Sequence, residues 1–361
     1  ARADVEWVAP NVRERRQAIA SGPPTDPLYA WLAGQWWLQP VQGSDANAID
    51  ARLRGVPGYL SGWTASTGTT GLSSAVVEVL DTGNTQHPEL AGHMLPGFDF
   101  VSDSVYANDG DGRDADPSDP GDWVSAADRS ADAARFGSCD VEDSTWHGTV
   151  IAGMLAANTN NDAGGAAMNW NGRVVPVRVA GKCGADLADI VDGMRWAVGL
   201  DVCKRSDSAG NCLEFVPRNM NPARVLNISF GGSAACGTAY QQAIDELRQV
   251  PFAGGGVGAV VVAAAGNEWS APTRPANCQR VVGVGALNRD GFKTNYSNFG
   301  AALTVSTVGG DDNDGAWGPW LADSGLLTVG NTGLTAPGAS DYFFHFGTSF
   351  SAPVVAGAVS L

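Results

Sequence analysis

The sequence predicts an α/β fold in three layers, with a mostly parallel central sheet between two layers of helices. Three observations carry that reading. Short runs rich in β-branched residues recur from Ser74 onward, they are apolar on both faces, and stretches of helical, small-residue character separate them. A strand that is apolar on both faces must be covered on both, and strands joined through helices run parallel.

Before Asp81 the chain is rich in Trp, Gly and Pro and only weakly periodic. The first strand is SAVVEVL, 74–80, and the first helix HGTVIAGMLAAN, 147–158. Then follow the strand RVVPVRV, 173–179, the helix ADLADIVDGMRWAVGL, 185–200, and the strand ARVLNISF, 223–230. The helix TAYQQAIDELRQV, 238–250, precedes the strands GAVVVAAAG, 258–266, and RVVGVGAL, 280–287. A small-residue run from Ser351 to Ala358 predicts a tightly packed closing helix. Two segments break the alternation: an acidic, Gly/Pro-rich insertion at 99–123 and a turn-rich loop at 309–325. In such sheets functional groups gather at the carboxyl ends of strands.

With 361 residues, 44% hydrophobic and 17% charged, the chain suits one large α/β domain or two smaller ones. Its 38 acidic and 22 basic residues leave a formal charge of −16, which repels phosphate backbones and anionic headgroups, so no nucleic-acid partner is expected. No apolar run reaches the roughly 18 residues a membrane span needs, and Val257–Gly266 reads as a buried strand. Six cysteines without a CxxC pair indicate disulfides formed in an oxidising compartment. Six cysteines allow about 15 connectivities, among which a local Cys203–Cys212 bridge would close the polar loop KRSDSAGN. The chain opens on Ala1 and ends at Leu361 within a helical pattern, so it is expected to be a piece of a longer precursor.

Four histidines, His87, His93, His147 and His345, are the only imidazole bases on offer. His147 opens a helix beside strand ends, and Asp81 ends a buried strand, where a carboxylate can hold an imidazole in one tautomer. Asn267 follows the apolar strand VVVAAAG and offers a side-chain amide to a developing oxyanion. Ser349 follows Gly347 and Thr348; Pro353 is tolerated only near a helix start, which places Ser349 at or just before the first turn. Backbone N–H groups and the helix dipole there favour negative charge. Ser351, inside that turn, reads as a packing or capping residue.

Singly, each of these residues is as readily structural as catalytic; their joint order is specific. VEVLDTGNTQHPEL around Asp81, WHGTVIAG around His147 and FGTSFSAP around Ser349, with NISFGG (227–232) and AAAGNE (263–268) between, resemble the motifs of the subtilisin-type serine proteases, the subtilases. The resemblance covers roughly residue 27 to the end. It implies a subtilisin-like fold and an Asp81–His147–Ser349 triad with Asn267 at the oxyanion. Ser229, Phe230, Gly231 and Gly232 resemble one substrate-binding strand, Gly184, Ala185 and Asp186 the opposing one, and Ala264, Ala265 and Gly266 a pocket wall. A peptide would enter by strand addition.

The chain departs from the usual pattern at Val150, Glu89, Phe350-Ser351 and STVGG (306–310). The acidic insertion resembles calcium-binding loops of secreted bacterial subtilases, with Asp109, Asp111, Asp114, Asp116 and Asp119 as oxygen donors for structural Ca²⁺. A second site is implied at the NTNND turn, 158–162. The same branch implies disulfides Cys139–Cys183 and Cys236–Cys278. Residues 4–17 resemble the tail of a propeptide, an intramolecular inhibitor and chaperone, so that 1–26 form its tail and junction and 27–361 the peptidase domain. A secreted, monomeric endopeptidase acting on proteins and peptides is the expectation. The rival is a catalytically silent domain of the same fold used for binding. The SFGG and AAAGN walls imply an apolar pocket for large hydrophobic side chains, while Glu268 at its rim could equally draw Lys or Arg. An α/β-hydrolase is excluded by motif order, since no histidine follows Ser349. GGGVGAVVV places its glycines before a strand, which excludes a dinucleotide-binding turn.

Overall fold

The computed structural model describes residues 22–31, 34–40, 54–70, 75–253, 255–311 and 325–361. The expected propeptide residues 1–21, Ser74 of the first strand run and residues 312–324 of the turn-rich loop lie outside the described residues.

The strands in chain order are β1 Val76–Asp81, β2 Phe98–Asp99, β3 Arg173–Arg178, β4 Ala180–Gly181, β5 Gly184–Ala185, β6 Cys203–Ser206 and β7 Cys212–Phe215. They continue with β8 Val225–Ile228, β9 Val260–Ala264, β10 Val282–Leu287, β11 Val305–Val308, β12 Leu326–Asn331 and β13 Ser340–His345. Short helices are α1 Pro27–Ala30, α2 Tyr59–Trp63, α3 Ser104–Ala107, α4 Ala126–Ala131 and α5 Ala133–Phe136; the layer helices are α6 His147–Ala156, α7 Leu187–Ala197, α8 Thr238–Leu247 and α9 Thr348–Ser360.

Seven strands form the main sheet in the order β11-β10-β9-β8-β1-β3-β2, and its paired strands run parallel. The period of two sorts the side chains. Val77 and Val79 of β1 pack with Ile151 and Leu155 of α6 and Val354 of α9. Leu80, with Val175 and Val177 of β3, packs with Met194 of α7 and Ile244 of α8. This is the expected three-layer arrangement. The weakly periodic amino-terminal part is held by buried aromatic rings whose polar atoms reach backbone carbonyls: Trp36 to Gly325, Trp37 to Leu327, Trp63 to Met168 and Tyr59 to Val354. Indole and phenol groups can be buried because that one polar atom is satisfied.

Several elements were not read from the sequence. The β6–β7 hairpin is mostly exposed and too short for a pattern, and the Cys203–Cys212 disulfide closes it. STVGG, noted only as a departure from the usual pattern, contributes part of β11 at the sheet edge. β12 and β13 pair antiparallel, with Leu326 opposite His345, and deliver the chain to the start of α9. The other disulfides join Cys139 to Cys183 and Cys236 to Cys278.

Candidate active site

Asp81 is the last residue of β1 and is 1% exposed. Both its carboxylate oxygens lie within 2.8 and 2.9 Å of His147 Nδ1. Arg178 stands opposite Asp81 in register on β3, yet its guanidinium turns away to Asp99, Asp109 and the Ala107 carbonyl. The guanidinium therefore does not compete with His147 for the Asp81 carboxylate. Thr82 organises the turn: its N–H donates to Asp81 Oδ1 at 2.9 Å, and its hydroxyl accepts from the Gly148 N–H and donates to Asp119. The HG pair is explained locally, because a Cβ on Gly148 would collide with the Gly83 carbonyl oxygen and hold α6 off the strand end.

Ser349 is the second residue of α9, and Pro353 lies inside the same helix. Proline has no N–H, so the carbonyl four residues earlier, that of Ser349, has no helical partner. The Ser229 hydroxyl fills that role at 2.7 Å and itself accepts from Asn227 Nδ2 at 2.8 Å. The Ser349 hydroxyl donates to the Ser229 carbonyl at 2.6 Å instead of to His147. Ser349 and His147 nonetheless line one cavity of about 320 Å³. Reaching the imidazole requires a side-chain rotation of Ser349, an adjustment of the kind that tightens only with substrate bound.

Asn267 Oδ1 accepts from both the N–H and the hydroxyl of Thr348 at 2.9 Å. That fixes the amide with its Nδ2 donor unused, beside the residue that precedes Ser349. The cavity wall includes Ser229 to Gly232 on one side and Gly184 and Ala185 on the other. Asp186 lies instead at the start of α7 and lines a neighbouring pocket with Lys182 and Asp189. Ala264 at the end of β9 and Ala265 after it are buried and, with Gly266, are not among the residues lining the cavity; Gly266 takes the left-handed conformation at φ 102° while donating to Thr348 Oγ1.

Burial opposes a positive charge on His147, but the Asp81 carboxylate in contact, with Asp122 and Asp119 behind it, outweighs burial and holds the imidazole above the ordinary histidine value. Sequence reasoning missed Thr82, Asn227, Asp122 and Glu142; Asp122 joins the cavity from the end of the acidic insertion and Glu142 through its backbone pairing with Val124. It noted Phe350 as a departure without seeing its role. The Phe350 ring lies 5.5 Å from His147 and 5.1 Å from His345. Burial and then repulsion from His147 push His345 down to about 4, so its ring stays neutral.

Four of the five insertion aspartates, Asp109, Asp114, Asp116 and Asp119, have their carboxylates engaged by local groups. Asp109 pairs with Arg178 and accepts from Asp111 N–H, Asp114 accepts from Asp116 N–H, and Asp116 accepts from Ser118. Burial pushes Asp119 up to about 7 against its bond from Thr82. Among the described residues no group of three or more His, Cys, Asp or Glu is arranged to hold a metal. The NTNND turn offers a different fit. Asp26 is fully buried and accepts from the Asn160 and Asn161 N–H groups, and the nearby Glu89 has a buried Oε2 without a partner. Burial, with Asp26 also contributing, raises the pKa of Glu89. An orphaned carboxylate oxygen beside a second buried carboxylate suits a hard cation.

Residues 73–361 match the sequence pattern of the Subtilase family. The chain is 40% identical over 301 residues to an extracellular protease of Xanthomonas campestris, covering 83% of this chain and 45% of that protein. It is 36% identical over 362 residues to an extracellular basic protease of Dichelobacter nodosus, covering 99% of this chain and 50% of that protein. The chain thus spans about half the length of these curated relatives. A solved protease from Pseudoalteromonas arctica superimposes with a TM-score of 0.73 at 36% identity, covering 94% of this chain and 86% of that one. A lanthipeptide protease, at 20% identity and TM-score 0.59 over 95% of this chain and 84% of that one, shares the fold. With its motifs in order and its strand ends arranged as described, the chain belongs to the subtilase family of serine proteases.

Proposed function

We propose that residues 27–361 are the peptidase domain of a secreted serine endopeptidase that cuts proteins and peptides. The observation that carries this reading is the Asp81–His147 contact facing the same cavity as Ser349. Ser349 Oγ attacks the scissile carbonyl carbon while His147 Nε2 takes its proton, giving a tetrahedral intermediate; as this collapses the C–N bond breaks, the leaving amine receives that proton, and the acyl group stays on Ser349. Water hydrolyses the acyl-enzyme by the same route in reverse. Asp81 holds His147 with Nδ1 protonated and stabilises the imidazolium. Asn267 Nδ2 and the Ser349 N–H receive the oxyanion. The peptide lies between the 229–232 and 184–186 segments, with 264–266 forming a wall of the side-chain pocket.

Residues 1–26 serve as the tail and junction of a propeptide, so the protein is made as a zymogen and works as a monomer. Structural Ca²⁺ is assigned to Asp26 and Glu89 at the NTNND turn, where the ion would neutralise buried like charges; the 109–119 aspartates, four of them taken up by local partners, are assigned none. A fall in thermal midpoint on chelation, smaller in Glu89→Gln, tests this.

The Ser349 hydroxyl resting on Ser229 favours one rival, a silent domain of the same fold. Reaction of the mature, calcium-loaded protein with a fluorophosphonate decides between them. Label on Ser349, absent from Ser349→Ala, is the expected result. A folded, propeptide-free protein that takes no label overturns the enzymatic reading.

A further inference from the structure

The proteolytic reading leaves unexplained a pattern of charge in the same cavity. Near His147 stand Asp122 and Glu142. The Asp122 carboxylate is fixed by the N–H and hydroxyl of Thr145, each at 2.7 Å. Glu142 is placed by its backbone pairing with Val124, and its carboxyl group has no hydrogen bond or ion pair among the described residues. Burial, then the charges of Asp122 and Asp140, push the Glu142 pKa up, so the two acids strain against each other. The wall also carries Arg274. Its backbone exchanges two hydrogen bonds with Gly232, its guanidinium lies 6.0 Å from the Tyr240 ring centroid, and it too has no ion pair among the described residues. The same cavity thus carries two carboxylates and one guanidinium that have no role in the proteolytic reading.

Building on the proteolytic reading, we propose that Asp122, Glu142 and Arg274 determine specificity. The cleft selects an extended peptide with a basic side chain close to the scissile bond, facing Asp122 and Glu142, and an acidic side chain farther along the same strand, facing Arg274. A strand added along Gly231 has its backbone held by hydrogen bonds, so its side chains meet these charges with little further loss of freedom. Fixed charges in a partly enclosed cleft are screened less than charges in open water.

The test uses matched fluorogenic peptides carrying Lys, Gln or Glu at each of the two positions, with casein as a substrate of mixed charge. The expected preference for Lys over Glu near the scissile bond is about tenfold in kcat/KM, the product of two modest charge pairs, and it shrinks at high salt. Glu142→Gln reduces that ratio and Glu142→Lys reverses it. Arg274→Gln abolishes the preference for Glu at the distal position and leaves the proximal preference intact. Ratios between peptides cancel any change in the catalytic base, and the exposed Glu142 side chain makes no hydrogen bond whose loss would unfold the protein. Casein cleaved, with peptide rates flat across charge, overturns this proposal and spares the proteolytic reading. Neither casein nor any peptide cleaved overturns both.

Discussion

The hydroxyl of Ser349 donates to the carbonyl of Ser229 at 2.6 Å while the hydroxyl of Ser229 donates to the carbonyl of Ser349 at 2.7 Å. The second bond exists because Pro353 denies that carbonyl its helical donor. Ser229→Ala therefore orphans the Ser349 carbonyl and frees Asn227 Nδ2, a loss of about 1–3 kcal/mol. Urea unfolding should show that loss together with lower turnover. Unchanged stability and turnover would mean that the reciprocal pair holds nothing in place.

Asn267→Ala should lower kcat by about 10²–10³ with little change in KM, the size known for the corresponding asparagine of subtilisin itself. Asn267→Asp keeps an acceptor for Thr348 but exchanges the amide donor for a negative charge, and should do no better. A variant that kept most of its turnover would remove Asn267 from the oxyanion.

The base must be neutral to accept the Ser349 proton, so activity is lost as pH falls through the pKa of His147. Because Asp81, Asp122 and Asp119 together outweigh burial and hold that pKa up, the acidic limb of kcat/KM should lie above the ordinary value of about 6.5. Asp122→Asn removes one supporting charge and should shift the limb toward lower pH. A limb that stayed in place would show that Asp122 does not act on His147.

Glu78 sits in the middle of β1, fully buried, with Oε1 accepting from Asn219 at 2.8 Å and Oε2 without a partner. Burial pushes its pKa well above the carboxylate range, against the bond from Asn219. The native state thus holds this proton more tightly than the unfolded chain. Its contribution is fully present below the unfolded value of about 4.3 and is lost as pH rises through the folded value. Glu78→Gln should gain in thermal midpoint over the parent as pH is raised from about 4 to about 8. A difference constant across that range would show that Glu78 does not titrate on unfolding.

The sheet was legible because its strands are apolar on both faces, which only a doubly covered parallel sheet accommodates. Asp81, His147, Ser349 and Asn267 were singled out by the order of their motifs and their resemblance to the subtilases, and each sits where a strand or helix boundary is written locally, by Thr82-Gly83, Gly148 or Gly347. Asp122 and Glu142 were not. Their place beside His147 depends on how residues 99–142 fold back, through the buried Arg178 and the Thr82–Asp119 bond, and no period or spacing encodes that. The β12–β13 hairpin escaped notice for a related reason: β13 is largely exposed, so SDYFFH lacks the alternation that marks a half-buried strand.

Ser349, the proposed nucleophile, rides on α9, which packs against β8, β9, β10 and β11 and is buried over most of its length. A helix so placed cannot open on its own; it is released only when the sheet comes apart. The residue that would cut other chains therefore belongs to the last part of this one to loosen. Along a denaturation curve, reactivity at Ser349 should persist until the whole domain melts, so the chemistry of one hydroxyl becomes a reporter of global folding.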